Sequence, residues 1–277
     1  MSGSQSGPNL TVLKLGGELL EPGPGLRAIV HAIQQLASAG PLVIVHGAGR
    51  EIDAETQRRG VPKQSVDGLR ITDAPTLDAV IAVLAGTVNT RLVASMVGSG
   101  LRAVGLTGVD AGIGLSQHAP PHRAVDGQLV DLGLVGQPID TASPALLLCL
   151  VQHGYIPVIA CLGVDTAGQV LNVNADTLAA ALAVNTRSNR LIIAGATAGV
   201  LDAAQSTIAT LDEAGIDRMI GDGTASAGMI AKLRACRDAL NGGVQDIAIV
   251  AGKHAGGFLT APGTRIVAHA GTGASIQ

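Results

Sequence analysis

Short apolar runs of strand length alternate along this chain with segments whose apolar residues recur at helical spacing. No other feature restricts the fold as much. "TVLKL" at 11–15 is followed by Leu26, Ile29, Val30, Ile33 and Leu36, and "PLVIVHG" at 41–47 by a helix from Gly49 to about Arg59. Polar "QSVDGLRIT" leads into a long helix from about Asp73 to Val97, then the strand "LRAVGLTG". Residues 112–135, rich in Gly and His, read as a hairpin. "PALLLCLVQHG" reads as helix, "YIPVIACLG" as strand, "QVLNVNAD" as a turn, "DTLAAALAVN" as helix and "RLIIAGATAGVLD" as strand. A last helix begins near Gly228, and the strands "QDIAIVAG" and "TRIVA" close the pattern. Continuous β-branched strands are those buried on both faces. The expected fold is α/β, a three-layer αβα sandwich with a mainly parallel central sheet and no internal repeat.

Composition narrows the function classes. Of 277 residues, 47% are hydrophobic and 14% charged, yet no apolar run approaches the roughly 18–20 residues that span a bilayer. "MSGSQSGPNL" lacks the basic-then-apolar pattern of a signal peptide and, over residues 1–9, reads as a disordered lead. The last residues, 271–277, read as a loose tail. A net charge of −3 without a basic run argues against nucleic acid as a partner. Cys149, Cys161 and Cys236 are too far apart for a metal spacing or a disulfide framework and fit a reducing, cytoplasmic setting.

The 38 glycines are about twice the usual share of roughly 7%, and many follow apolar runs. In a parallel sheet, ligands lie beyond the carboxyl ends of the strands. Four such places stand out: "LKLGG", "VHGAG", "LNVNAD" and "AGMIAK". Each glycine turn alone is equally compatible with tight packing. "HGAGR" has neither dinucleotide-fingerprint nor P-loop spacing. The lysines are more telling. Only four of the 18 basic residues are lysines: Lys14, Lys63, Lys232 and Lys253. Lys14 sits in a strand beside glycines. Lys232 sits early in a helix, where a cation opposes the macrodipole unless an anion is present. A lysine is a compact point charge suited to a moving phosphoryl group.

In this order the motifs resemble the amino acid kinase family, and within it the acetylglutamate kinases. The resemblance runs from "LKLGGELL" and "PLVIVHGAG" through "DGLRIT", "LAGTVNTRL" and "VGLTGVD" to "YIPVIACLGVDTAGQVLNVNADTLAAALA", "AGVLD" and "GTASAGMIAKL". It implies ATP-dependent phosphorylation of the side-chain carboxylate of N-acetyl-L-glutamate in arginine biosynthesis, with Mg2+ carried by the nucleotide and no protein-bound metal. Such a reaction needs two repelling anions held in line and the transferring charge neutralised. The resemblance places Lys14 and Lys232 on the transferring phosphoryl group, with Asp176 holding both. Read from its position alone, Asp176 is a helix N-cap.

By the same resemblance, Gly47, Ala48, Gly49, Arg70 and Asn172 bind the acceptor. Arg70 would pair with its α-carboxylate. Gly16, Gly17, Gly195, Ala196, Gly199, Thr224, Gly228 and Met229 belong to the nucleotide site. Asn174 reads as structural and His46 as a packed histidine. The implied lobes are 10–170, for the acceptor and dimerisation, and 171–270, for the nucleotide. The chain departs from the family pattern at Ala48, where a third glycine is usual, and at Gly195 and Ala196, where a Ser/Thr–Asp pair is usual. The missing carboxylate at Ala196 implies altered nucleotide binding.

The resemblance also implies a homodimer, with the row Leu77, Val80, Ile81 and Leu84 as a candidate face. Arginine-inhibited relatives carry an extra N-terminal helix, which "MSGSQSGPN" does not provide; insensitivity to arginine is therefore expected. Two other readings remain open: a kinase for an acetylated or carrier-bound aminoadipate, and a non-catalytic regulator that binds a small acid.

Overall fold

The computed structural model describes residues 9–124, 127–254 and 257–268. The expected lead before Asn9 and the tail lie outside these. The central sheet has eight strands: β1 (Thr11–Leu15), β2 (Leu42–His46), β3 (Ala103–Thr107), β4 (Ile156–Ala160), β5 (Arg190–Gly195), β6 (Thr210–Asp212), β7 (Asp246–Ala251) and β8 (Gly263–Val267). Their order is β6-β8-β7-β5-β1-β2-β4-β3. Neighbours are parallel except β7 and β8. Every residue of β2 and β4 is buried, so both faces of the sheet centre are covered. The helices are α1 (Pro24–Ala39), α2 (Gly49–Arg58), α3 (Ala74–Gly98), α4 (Ala145–Gln152), α5 (Ala175–Asn185), α6 (Glu213–Gly221) and α7 (Ala227–Asn241).

A second, four-stranded sheet joins Leu162–Val164, Val170–Val173, Val135–Pro138 and Ser116–His118. It corrects the expected turn at "QVLNVNAD". Val170–Val173 is a strand, antiparallel to Leu162–Val164, and buries Leu171 and Val173. Among the described residues of 112–135 only His122–Arg123 and Leu129–Val130 pair as a hairpin, while Ser116–His118 reaches outward to Val135–Pro138. At "DGLRIT", Ser65–Val66 and Leu69–Arg70 form a tight hairpin. Its turn residues Asp67 (φ 47°) and Gly68 (φ 78°) have the left-handed pair that a two-residue hairpin requires. β6 and α6 carry too weak an apolar pattern to be read from sequence. Asp212 starts α6 by accepting from the Gly215 N–H at 2.8 Å.

α3 brings two corrections. An 18-residue window of this 25-residue helix has a mean hydropathy of 1.7, enough by length and composition to cross a membrane. The sequence hides this because Asp78 and Arg91 interrupt the apolar run. In the structure Leu77, Val80, Leu84, Val88, Leu92 and Met96 are buried in the protein itself. That burial also removes the candidate dimer face. Val80 and Leu84 are 0% exposed, and Ile81 packs half-buried against the core.

Candidate active site

β1, β2 and β5 end side by side in glycine-containing turns, with Lys14 in register with Val45 and Ile193. Lys14 is 6% exposed and Asp176 4%. Asp176 is not the cap of α5. Asn174 is, its Oδ1 accepting from the N–H groups of Asp176 at 2.8 Å and Thr177 at 3.2 Å. Asn174 is therefore structural, and the Asp176 carboxylate, just inside the helix, is left for other partners. Lys14 Nζ lies 2.9 Å from its Oδ1 and Lys232 Nζ 3.5 Å from its Oδ2. The first contact is an ion pair off the hydrogen-bond axis, since Oδ1 has no partner in hydrogen-bonding geometry. Burial works to raise the Asp176 carboxyl, but the two ammonium groups outweigh it and hold it below the usual range.

Two helices start beside this triad without side-chain caps. α2 starts at Ala48, which has φ −154°, ψ 38° and no side-chain cap. α7 starts at Ser226, also without one. Uncapped first turns leave N–H groups that attract anions. Lys232 stands on the second turn of α7, its Nζ 3.4 Å from the Gly228 carbonyl. A Cβ on Gly17 would lie 2.7 Å from Ala48 Cα, and one on Gly47 3.5 Å from Ala175 Cβ. The glycines thus let the β1 turn, the β2 turn and the start of α5 close together. Ala48 packs into the core, so the fold absorbs its extra methyl group.

Arg70 reaches the same turn. Its Nη2 donates to the Gly49 carbonyl at 3.4 Å and pairs with Asp53. Its Nη1 is buried with no partner. Burial acts to raise Asp53, and Lys63 and Arg70 together lower it further than burial raises it. Asn172 donates to Thr72 Oγ1 at 3.0 Å, joining the second sheet to the segment that follows the 65–70 hairpin.

The expected nucleotide residues are placed less uniformly. A Cβ on Gly195 would fall 4.0 Å from Lys232 Cε and Gly228 faces Lys232 Nζ with its carbonyl, while Gly16 pairs with Ala194, Ala196 with Glu18, and Gly17 packs on Ala48. Gly199 (φ +104°) is needed for packing, since a Cβ there would meet Thr264 Oγ1 at 2.7 Å. Thr224 bonds Asp222 through its Oγ1 and its N–H, and Met229 is half-buried in the first turn of α7. A cavity of about 580 Å³ opens nearby, lined by Asp67, His122, Asp222, Ala225, Ile230 and Arg234 among others. Among the described residues no group of three His, Cys, Asp or Glu could hold a metal ion.

The model of the amino acid kinase family matches residues 9–251. The chain belongs to the amino acid kinase family. Its relatives include the acetylglutamate kinase of Afipia carboxidovorans, 41% identical over 76% of this chain and 72% of that one. Another is the acetylglutamate kinase of Solibacter usitatus, 37% identical over 87% and 90%. Among solved structures, smu.665 of Streptococcus mutans superposes with TM-score 0.81 at 26% identity, covering 94% of this chain and 99% of that one. The N-acetylglutamate synthase of Neisseria gonorrhoeae, complexed with coenzyme A and N-acetyl-glutamate, does so with TM-score 0.79 at 25% identity, covering 96% of this kinase and 61% of the synthase.

Two polar residues of this amino acid kinase escaped the sequence reading. Glu18 Oε1 accepts from the Ala196 N–H at 3.0 Å, so a carboxylate does stand at the end of β5, supplied by the β1 turn. Asn89 contacts His46, which is fully buried as expected of a packed histidine. Glu18 lies in "LKLGGELL" and Asn89 in "LAGTVNTRL", but neither motif says what its residue touches. The first contact forms where β1 pairs with β5, the second where α3 packs on β2 and β4.

Proposed function

We propose that this kinase transfers the γ-phosphoryl group of MgATP to the side-chain carboxylate of N-acetyl-L-glutamate, giving N-acetyl-L-glutamyl 5-phosphate for arginine biosynthesis in the cytoplasm. The observation that carries the reading is the Lys14–Asp176–Lys232 triad, with Lys14 and Asp176 buried, between two uncapped helix starts. Two like-charged reactants need cations that are already in place, because cations that had to reorganise would give back much of their effect. Asp176 supplies that order. It aims one ammonium from the sheet and one from α7 at a common space, and the triad keeps a net positive charge for the phosphoryl group.

The unpartnered Arg70 Nη1, beside the Gly47–Gly49 turn, suits the acceptor's α-carboxylate, and Asn172 the acylamino group. Gly16, Gly17, Gly195, Ala196, Gly199, Thr224, Gly228 and Met229 are assigned to the nucleotide, whose magnesium arrives with it. Lobes at 10–170 and 171–270 would then serve acceptor and nucleotide. The names of the relatives favour acetylglutamate over an aminoadipate-type acceptor.

The test is acceptor choice. With ADP release coupled to a reporter, N-acetyl-L-glutamate should give the highest kcat/KM among N-acetyl derivatives of aspartate, glutamate and aminoadipate. A preference for the aminoadipate derivative would overturn the assignment. Arg70→Ala should raise the acceptor KM while changing kcat little, because a contact made equally in ground and transition states acts on binding alone. Loss of kcat at unchanged acceptor KM would remove Arg70 from this role. We also propose a homodimer, the commonest symmetric assembly, built on a surface other than the buried Leu77–Leu84 row. Sedimentation of a monomer at micromolar concentration would contradict it.

A further inference from the structure

The motif "LAGTVNTRL" has no part in the chemistry above, yet its asparagine is built into the site's foundation. Asn89 is 6% exposed and ends a π-helical stretch of α3, Ala82–Asn89. Such wide turns re-aim side chains and are frequent at functional sites. From α3, Asn89 Nδ2 reaches the Val158 carbonyl of β4 at 2.9 Å and His46 Nε2 of β2 at 3.1 Å. On the third side β3 makes room, since a Cβ on Gly105 would fall 2.3 Å from Asn89 Oδ1.

This geometry fixes a proton. The amide atom facing a carbonyl oxygen must be the NH2 group. Its two protons go to the two nearer acceptors, the Val158 carbonyl and His46 Nε2, with the Leu106 carbonyl of β3 farther off at 3.4 Å; His46 Nε2 therefore accepts. In a neutral imidazole the proton then resides on Nδ1. His46 is neutral: burial lowers its pKa to about 4, with the Gly47 backbone opposing and Arg91 acting with burial. Nδ1 is buried and has no partner in hydrogen-bonding geometry, and it belongs to the residue directly before Gly47. Gly47 opens the turn in front of α2, and its carbonyl oxygen lies 3.1 Å from the point where a Cβ on Gly17 would sit.

We propose that Asn89 is a positioning residue for phosphoryl transfer: by donating to His46 Nε2 it keeps the imidazole proton on Nδ1, in the residue that leads into the Gly47–Ala48–Gly49 turn, and so sets that turn. The catalytic part of this inference rests on the reading that the turn receives the reacting anions; the tautomer does not. An asparagine that merely pinned three strands together would be indifferent to where the imidazole proton sits.

The experiment has two arms. In 15N-histidine-labelled protein, with the His46 signals assigned by their loss in His46→Asn, imidazole 15N–1H spectra at pH 7 should show a neutral ring protonated on Nδ1. Asn89→Asp replaces a donor with an acceptor and should move the proton to Nε2 or charge the ring. The second arm compares two replacements that keep opposite halves of the ring. His46→Asn keeps a donor near Nδ1 and should hold kcat within about tenfold of the parent. His46→Gln keeps an acceptor near Nε2 and should lose roughly a hundredfold, the scale of a small misplacement of the reactants. A proton on Nε2 in the unmodified protein, or equal kcat in the two folded variants, would overturn the proposal. A wild type inactive on N-acetyl-L-glutamate but with the Nδ1 tautomer would sink the acceptor assignment alone.

Discussion

Lys14→Ala and Lys232→Ala are each expected to lower kcat by roughly 10²- to 10³-fold, about 3–4 kcal/mol of transition-state stabilisation, with smaller changes in either KM. Neither lysine is a surface cation, since their side chains are 7% and 21% exposed. Their charge matters most when the phosphoryl group is between its two oxygens, so its loss falls on turnover. Arginine is a poor replacement, because a planar fork cannot fill the space of a point charge set 2.9 Å from Asp176. Near-normal turnover in either alanine variant, measured by ADP release at saturating substrates, would remove that lysine from the chemistry.

Asp176→Asn is expected to cost both activity and stability. The substitution leaves two ammonium groups, one of them buried, without their shared counter-charge. Removing one partner of a buried ion pair costs about 3–5 kcal/mol. Denaturant melts should therefore show a lower midpoint at neutral pH, together with a kcat loss at least as large as that of either lysine variant. The sign of the pH dependence follows from the lowered Asp176 carboxyl. Its stabilising contribution is fully present above the unfolded value of about 3.9 and fades as pH falls through the lower folded value. The stabilities of the parent and the Asp176→Asn variant should converge only in strong acid. Convergence already near pH 6 would mean that the carboxyl is not held low by the lysines.

The sheet was legible because parallel strands buried on both faces announce themselves as unbroken β-branched runs, as "LVIVH" and "IPVIA" do. The small second sheet was not. Val170–Val173 is short, half-buried and preceded by a turn, so "QVLNVNAD" carries too little pattern to separate strand from loop. α6 begins "EAGID", where apolar residues are too sparse for a clear helical period. At the site, the residues carrying charge at strand ends were visible because lysine is rare in this chain. Residues placed by contact alone were not. Glu18 meets Ala196 across 178 positions and Asn89 meets His46 across 43, the first through the pairing of β1 with β5 and the second through the packing of α3 on the sheet. The capping exchange between Asn174 and Asp176 turned on which of two residues two positions apart starts the helix, a distinction beyond the reach of periodicity.

The central claim is that a carboxylate of the acceptor, not a hydroxyl or amine, takes the phosphoryl group. Hydroxylamine trapping tests it most directly, because an acyl phosphate reacts to a stable hydroxamate and a phosphate ester or phosphoramidate does not. With MgATP, N-acetyl-L-glutamate and hydroxylamine, the protein should form one hydroxamate per ADP released. ADP release on N-acetyl-L-glutamate without any hydroxamate would contradict the account.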